Sequence, residues 1–381
     1  MSRTLKELKR AYGFEDVAIA PGELTLNPEM VDISMNFDGI RLGIPFLASA
    51  MDAVVDPDFA IAMSKAGGLA VLNLDGIQTR YEDPGPLFIE IAETPADAAT
   101  ELLQKIYSAP VQEKLVGKRV EQIVKRGGKA AVSVIPASTK RLAPLAVEAG
   151  ADVLVVQSTV TTARHSSKSI RGLIFHELVE QLKVPVLVGN TVSYDVTMEL
   201  MEEGVHGVLV GVGPGAACTS REVLGVGVPQ VSATLECAAA REEYFKITGR
   251  YVPIITDGGI RTGGDVCKSF ASGADAVMIG TPLAQATEAP GLGFNWGMAT
   301  PHASLPRGTR ISVGTRGPLQ KILFGPSHRT DGTENLVGAL QISMGMVGAK
   351  DIREMHRAEL IYAPAIKTEG KVFQMQGLGS R

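Results

Sequence analysis

The stretch EAGADVLVVQ, Glu148–Gln157, reads as a helix end, a glycine that closes it and a short strand. Its strand half, Asp152–Gln157, is apolar without alternation, the pattern of a strand covered on both faces. The phrase returns as EEGVH, Glu202–His206, and ASGAD, Ala271–Asp275. Similar apolar runs lie at Pro45–Ala50, Leu69–Leu74, Lys129–Ile135, Val184–Gly189, Gly207–Gly211, Pro253–Asp257 and Ala276–Gly280, eight in all. Helical patterns separate them at Asp58–Ala66, Gln112–Arg126, Thr139–Ala149, Ser169–Leu182, Tyr194–Glu203, Ser232–Ile247 and Gly263–Ser272, and Asn335–Val347 would complete the last unit. Eight strand–helix units are the count for a (β/α)₈ TIM barrel. A doubly wound parallel sheet is the alternative that the pattern leaves open.

The chain has 381 residues. Division by a usual domain size suggests two or three domains, but α/β barrels exceed 250 residues as one. No linker splits residues 1–381, so a single barrel domain is expected. Two stretches, Asp75–Ala109 and Glu288–Gly332, are too long for plain connections and read as functional loops; Lys367–Arg381 reads as a polar tail. Lys and Arg number 37 against 41 Asp and Glu, a balance that argues against phosphate-neutralising nucleic-acid binding. No apolar run approaches a membrane span, and the start MSRTLKELKR lacks a signal peptide's apolar core. Three cysteines cannot build a disulfide framework, which points to a reducing cytoplasm.

In a barrel, chemistry sits on the loops that follow the strands. Ser49, Met51 and Asp52 follow the first run; Asn73 and Asp75 the second; Gln157, Ser158 and Thr159 the fourth; Asn190 the fifth. After the sixth comes GVGPGAACTSR, Gly211–Arg221. Its glycines expose backbone N–H groups, and Cys218 stands where the loop would enter a helix, a place that favours the thiolate. A buried inert thiol is the competing reading, and the default one for Cys237 and Cys267 within helical patterns. Gly258 and Gly259 after the seventh run, and Gly280 and Thr281 after the eighth, lie where barrels bind phosphate; tight turns alone would also explain them. Asp257 suits either a helix cap or a ribose diol. No His/Cys spacing suggests zinc; His302 and His328 in the second long loop are the histidines worth following.

These residues resemble the IMP dehydrogenase and GMP reductase family. GVGPGAACTSR looks like its catalytic loop, and FLASAMD (Phe46–Asp52), VGN (Val188–Asn190), ITDGGI (Ile255–Ile260), GADAVMIGT (Gly273–Thr281) and TEAPG (Thr287–Gly291) match in order and spacing. The resemblance covers about Ala11 to Pro364 and implies a (β/α)₈ barrel acting on a purine nucleoside monophosphate with NADPH or NAD, as a homotetramer or octamer. It implies Cys218 as the nucleophile at purine C2 and Asp257 as the ribose ligand. Gly258, Gly259, Gly280 and Thr281 become the phosphate cradle, with Ser49 and Met51 beneath the nucleotide and Asn190, Gly215 and Gly314 also on the substrate side. Gln157, Ser158 and Thr159 fall on the cofactor side. Carbonyls of Gly213, Gly215 and Cys218 resemble a K⁺ site of family members.

Departures from the family pattern bear on the reaction. Asp75–Lys129 is too short for the regulatory (CBS) domain usual in dehydrogenases, and Leu292–Glu334 holds no Arg-Tyr dipeptide to activate water. Ser312–Arg316 stands in for the family's base-binding segment. Ala216 replaces a phosphate-holding serine, Ser220 a threonine, Leu209 a Lys or Arg, and Gln157 the Asp usual at the cofactor's carboxamide. GVGVPQVSATLECA, Gly225–Ala238, is more like reductases. GMP reductase is therefore the expectation, with Thr219 or Ser220 and Glu288 relaying a proton to the departing amine. IMP dehydrogenase and a non-catalytic nucleotide-binding relative are the alternatives. A plain phosphosugar-binding barrel would leave Cys218 unexplained.

Overall fold

The computed structural model describes residues 8–165, 172–298 and 308–364. Eight parallel strands close into a barrel: β1 (Phe46–Ala48), β2 (Leu69–Asn73), β3 (Ala131–Val134), β4 (Val153–Gln157), β5 (Val186–Thr191), β6 (Gly207–Val210), β7 (Ile254–Asp257) and β8 (Ala276–Ile279). Seven lie within an apolar run each, and β5 starts within its run and extends two residues beyond Gly189. Val277 of β8 pairs with Phe46 of β1, which closes the ring; a doubly wound sheet would have left two edges, so that alternative is excluded.

The barrel helices are α1 (Pro57–Lys65), α2 (Glu113–Val124), α3 (Pro136–Glu148), α4 (Phe175–Gln181), α5 (Tyr194–Glu202), α6 (Gln230–Thr248), α7 (Gly263–Ala271) and α8 (Leu336–Val347). Short polar side chains start several of them. Asp56, Ser193, Thr262 and Asn335 each accept a backbone N–H in the first turn, which satisfies donors the helix cannot. The helix expected over Ser169–Leu182 begins only at Phe175; Gly172 stands ahead of that start, and residues 169–171 lie outside the described ones.

Leu47, Val71, Val155, Leu187, Leu209 and Met278 fill the barrel interior. The same cluster takes Met35, Phe37 and Leu42 from a hairpin, Met35–Phe37 with Ile40–Leu42, that closes the end at which the strands begin. The opposite end stays open for chemistry. Val17–Ile19 pairs antiparallel with Leu360–Tyr362, tying the two ends of the described chain together.

The two long loops are largely structured. Asp75–Ala109 carries helices Gly85–Glu93 and Ala99–Ser108; the second loop carries a hairpin, Phe294–Gly297 with Thr309–Ser312, and helix Leu319–Phe324. They build a separate small core in which Trp296 of the hairpin sits among Phe88, Ile91, Leu103, Ile106 and Tyr107. Thr100 Oγ1 donates to the Gly308 carbonyl at 3.1 Å, and the Arg310 guanidinium donates to the carbonyls of Ile91 and Thr94. His302 and the tail Lys367–Arg381 lie outside the described residues.

Candidate active site

After β6 the chain turns through Gly211 (φ 150°) and Gly213 (φ 79°). A Cβ on Gly211 would stand 2.2 Å from the Asp257 carbonyl oxygen, so only glycine lets the two strand ends approach this closely. The loop tightens where Cys218 N–H donates to the Gly215 carbonyl at 3.0 Å, and a short helix, Ser220–Leu224, follows Thr219. The Cys218 thiol is half-buried and donates to Ser220 Oγ at 3.3 Å; Ser220 itself is buried. The other two thiols are buried and pushed up by desolvation, Cys237 to about 12 and Cys267 to about 11, which makes them inert. This matches their reading as core residues.

Asp257 ends β7, and its Oδ2 accepts from Gln157 Nε2 of β4 at 2.8 Å and from Asn190 Nδ2 of β5 at 2.9 Å. Gln157 Nε2 also reaches Asn190 Oδ1 at 2.9 Å, and Asn190 Nδ2 donates to the Gly211 carbonyl at 2.8 Å. Three strand ends are thus joined across the barrel mouth to the start of the cysteine loop. Desolvation raises the Asp257 carboxyl to about 6, with both amides pulling it back down. Asp257 therefore does not cap α7; Thr262 does.

Gly258 (φ 90°) and Gly259 (φ 76°) turn against Pro214 of the cysteine loop, where a Cβ on either would lie 3.0 Å from its ring. Gly280 faces Met51 and Ser49 in the same way, with Cβ distances of 3.1 Å to Sδ and 3.5 Å to Oγ. Thr281 opens the short helix Thr281–Ala284, and its Oγ1 accepts from Asn295 Nδ2 of the hairpin at 3.3 Å. A Cβ on Gly297 of the same hairpin would come within 3.1 Å of the Ala217 carbonyl. The hairpin therefore touches both the cysteine loop and the Gly280–Thr281 turn.

Gly314 (φ 69°) lies two residues beyond the hairpin's second strand, and its N–H donates to the Gly293 carbonyl at 2.9 Å. Gln285, just past the Thr281 helix, donates to the Val313 carbonyl at 2.6 Å and accepts from Arg316 Nε at 2.7 Å. The segment Ser312–Arg316 is thereby tied to the Gly280–Thr281 side. Glu288 has a different position from the one the resemblance implies. Its exposed carboxylate accepts from Leu319 N–H at 2.8 Å, at the start of helix Leu319–Phe324, and from Thr287 Oγ1. It makes no hydrogen bond to Thr219 or Ser220. His328 donates its N–H to Glu334, an interaction within the loop.

Gln157 is engaged with Asp257, and Ser158 Oγ donates to the Val160 carbonyl at 2.8 Å within its own turn. Beside Thr159, Val160, Thr162, Val192, Val196, Val212 and Val228 line a cavity of about 150 Å³. The lining of this cleft is mostly apolar, as the flat face of a nicotinamide ring requires, and Ser158 and Thr159 precede its first residue, Val160. On the side where the resemblance puts K⁺, the Gly215 carbonyl accepts Cys218 N–H and keeps its second lone pair. No group of three or more His, Cys, Asp or Glu among the described residues is arranged to hold a metal.

Two features went unread in the sequence. Gln230 opens α6, and its Nε2 donates to the Val210 carbonyl at 2.6 Å and the Asp257 carbonyl at 3.2 Å, binding β6 to β7 beneath the site. Pro229 before it was the available signal, because it places residue 230 at the first helical turn. Asp52, buried beside Met51, accepts from Tyr107 OH at 2.5 Å, Asn73 Nδ2 at 3.2 Å and Ile77 N–H at 2.9 Å, and Tyr107 OH accepts from Trp296 Nε1 at 3.0 Å. Burial raises the Asp52 carboxyl to about 6. No local signal reveals this chain, since its members are far apart in sequence.

A closed eight-stranded barrel that carries a half-buried thiol on the loop after β6 and a carboxylate at the end of β7 places this chain among the (β/α)₈ barrel proteins. Residues 11–368 match the IMP dehydrogenase / GMP reductase domain, and the chain belongs to that family. It is 39% identical to an uncharacterized oxidoreductase of Mycolicibacterium smegmatis, over 94% of this chain and 98% of the relative. It is 30% identical to the inosine-5′-monophosphate dehydrogenase of Cryptosporidium parvum, over 92% and 91%. Among solved structures, an IMP dehydrogenase/GMP reductase-like protein from Corynebacterium glutamicum superposes with a TM-score of 0.88 at 34% identity, over 94% and 96%. The chain is thus an oxidoreductase of this family. No described helix is long and apolar enough to cross a membrane.

Proposed function

We propose that the protein is a GMP reductase, converting GMP to IMP and ammonia with NADPH through a covalent adduct on Cys218. The observation that carries this is the Cys218 thiol donating to Ser220 Oγ. Thiol-for-amine exchange at purine C2 balances without water: Sγ bonds to C2, the C2–N bond breaks, and the thiol proton leaves on ammonia. Ser220, with Thr219 beside it, stands where that proton departs. The cofactor, when bound, supplies the hydride that returns C2 to the IMP oxidation level and frees the thiolate. The cleft at Val160–Thr162 with Ser158 and Thr159 holds it on this reading, Asp257 and Asn190 face the ribose, and Gly258, Gly259, Gly280 and Thr281 take the phosphate above Ser49 and Met51. Gly314, Gly215 and their loops close over the base.

Hydrolysis by a dehydrogenase needs a positioned base for water. The span Leu292–Glu334 supplies no Arg-Tyr pair for it. The role of Glu288 on this reading is to order the long loop, in keeping with its contact to Leu319. The reading carries with it a cytoplasmic homotetramer or octamer and no nucleic-acid partner. The test follows nicotinamide absorbance with GMP plus NADPH or NADH, and separately with IMP plus NAD⁺. Loss of reduced cofactor with GMP supports the reading; oxidation of IMP alone makes the protein a dehydrogenase, and no reaction with tight GMP binding makes it a non-catalytic relative.

A further inference from the structure

We propose that Gln157 is a positioning residue for the nucleotide, holding the Asp257 carboxylate in place for the ribose, and is not a contact to the nicotinamide cofactor. This rests on the reading of Asp257 as the ribose ligand. Gln157 and Asn190 direct two amide N–H donors at the same oxygen, Asp257 Oδ2. The carboxylate rotamer is therefore set from two strands at once. Asp257 Oδ1 has no hydrogen-bond partner among the described residues and is the oxygen left for a substrate hydroxyl. Gln157 also braces Asn190, whose own amide reaches the Gly211 carbonyl at the root of the cysteine loop. One side chain thus couples the ribose ligand to the nucleophile's loop.

The chemistry of position 157 supports the reassignment. A glutamate here, of the same length as Gln157, would place a second negative oxygen where Oδ2 now receives an N–H. Gln in its place turns that repulsion into a charge-assisted hydrogen bond. Burial raises the Asp257 carboxyl, the amides of Asn190 and Gln157 lower it again, and no charged side chain contributes; Gln230 meets only the Asp257 backbone carbonyl. Its ionisation therefore depends on burial and on these two amide donors.

Calorimetric titration of the full-length protein with GMP, and separately with IMP, tests the proposal in the unmodified protein, Gln157→Leu and Gln157→Glu. For Gln157→Leu the nucleotide Kd rises roughly tenfold, while the KM for the nicotinamide cofactor in turnover stays within about twofold. For Gln157→Glu the sign of the pH dependence reverses. At low pH the two carboxyls share a proton and mimic the amide, so binding stays near that of the unmodified protein. As pH rises the shared proton is lost and affinity falls, whereas the unmodified protein binds better as Asp257 ionises. The nucleotide phosphate's own ionisation is common to both and cancels. Recovery of Gln157→Glu at low pH also shows that the fold is intact. A raised cofactor KM with unchanged nucleotide Kd in Gln157→Leu, or an unmodified pH profile in Gln157→Glu, overturns the proposal. If the unmodified protein binds neither GMP nor IMP, the purine reading itself fails and this assignment with it.

Discussion

The Cys218 thiol donates to Ser220 Oγ at 3.3 Å, across a single intervening residue and at the start of the helix Ser220–Leu224. The helix buries Ser220 and holds its hydroxyl toward the thiol, so on the proposed reading the thiol meets an acceptor for its proton before any substrate arrives. Removing the hydroxyl should therefore separate chemistry from binding. In Ser220→Ala, kcat for GMP reduction should fall by roughly 10²-fold or more, the range for a lost proton transfer, with GMP affinity unchanged. Equal kcat in the two proteins would remove Ser220 from the proton path.

On the proposed reading Cys218→Ala abolishes turnover while nucleotide binding persists, because the residues assigned there to ribose and phosphate follow β7, β8 and β1. Rapid-quench mass analysis of the unmodified protein should find nucleotide bound to the peptide containing Cys218. Retention of more than a small share of activity in Cys218→Ala would rule out covalent catalysis by this thiol.

On the proposed reading Asp257 trades stability for nucleotide binding. Its carboxyl is raised to about 6 in the folded chain, above the usual carboxylate range. Folding therefore favours the protonated form, and the carboxylate weakens the fold progressively as pH climbs from the unfolded value through about 6. Asp257→Asn, whose carbonyl can still accept from Gln157 and Asn190, should raise Tm at pH 8 and leave it nearly unchanged at pH 3.5. Nucleotide affinity should drop, by about 1.5–3 kcal/mol for a lost charged hydrogen bond, with inorganic phosphate binding much less affected. A lower Tm at pH 8 would show that the carboxylate is not a strained group.

Trp296 anchors the hairpin to the helices of Asp75–Ala109; it is 2% exposed and donates to Tyr107 OH. Trp296→Ala should cost that small core about 3–5 kcal/mol. Hydrogen exchange should speed up in Phe294–Gly297, Thr309–Ser312 and Ala99–Ser108, with the barrel strands unaffected. Uniform exchange across the barrel as well would mean that the small core is not an independent unit.

Glu288→Gln should leave GMP reduction within a few-fold, since Gln can still accept Leu319 N–H. A fall of roughly tenfold or more at unchanged GMP affinity would restore Glu288 to the proton relay implied by the family resemblance.

The barrel was legible because its signal is local and repeated. Eight apolar runs, each followed by a helical pattern and several marked by phrases such as EAGAD, leave few topologies in which every strand is covered on both faces. The cysteine loop and the glycine turns were legible for the same reason: an unusual backbone needs glycine at particular positions, and the order of loops around a barrel follows the order of the chain. Closure of the ring was decided only by the pairing of Val277 with Phe46.

Side-chain partnerships were not legible in this way. Gln157 and Asp257 are far apart in sequence, as are Tyr107 and Trp296, and a hydrogen bond between them leaves no periodic trace. Glu288 shows the limit of a matched motif: TEAPG places the residue after β8, but the rotamer that carries its carboxylate to Leu319 depends on where helix Leu319–Phe324 comes to rest. The sequence by itself determined the fold class, the cysteine loop and the glycine turns, because these depend on short-range backbone geometry and burial. Only the tertiary structure decided that the long loops fold onto one another and that Gln157 faces Asp257, because packing between distant segments sets which polar groups meet.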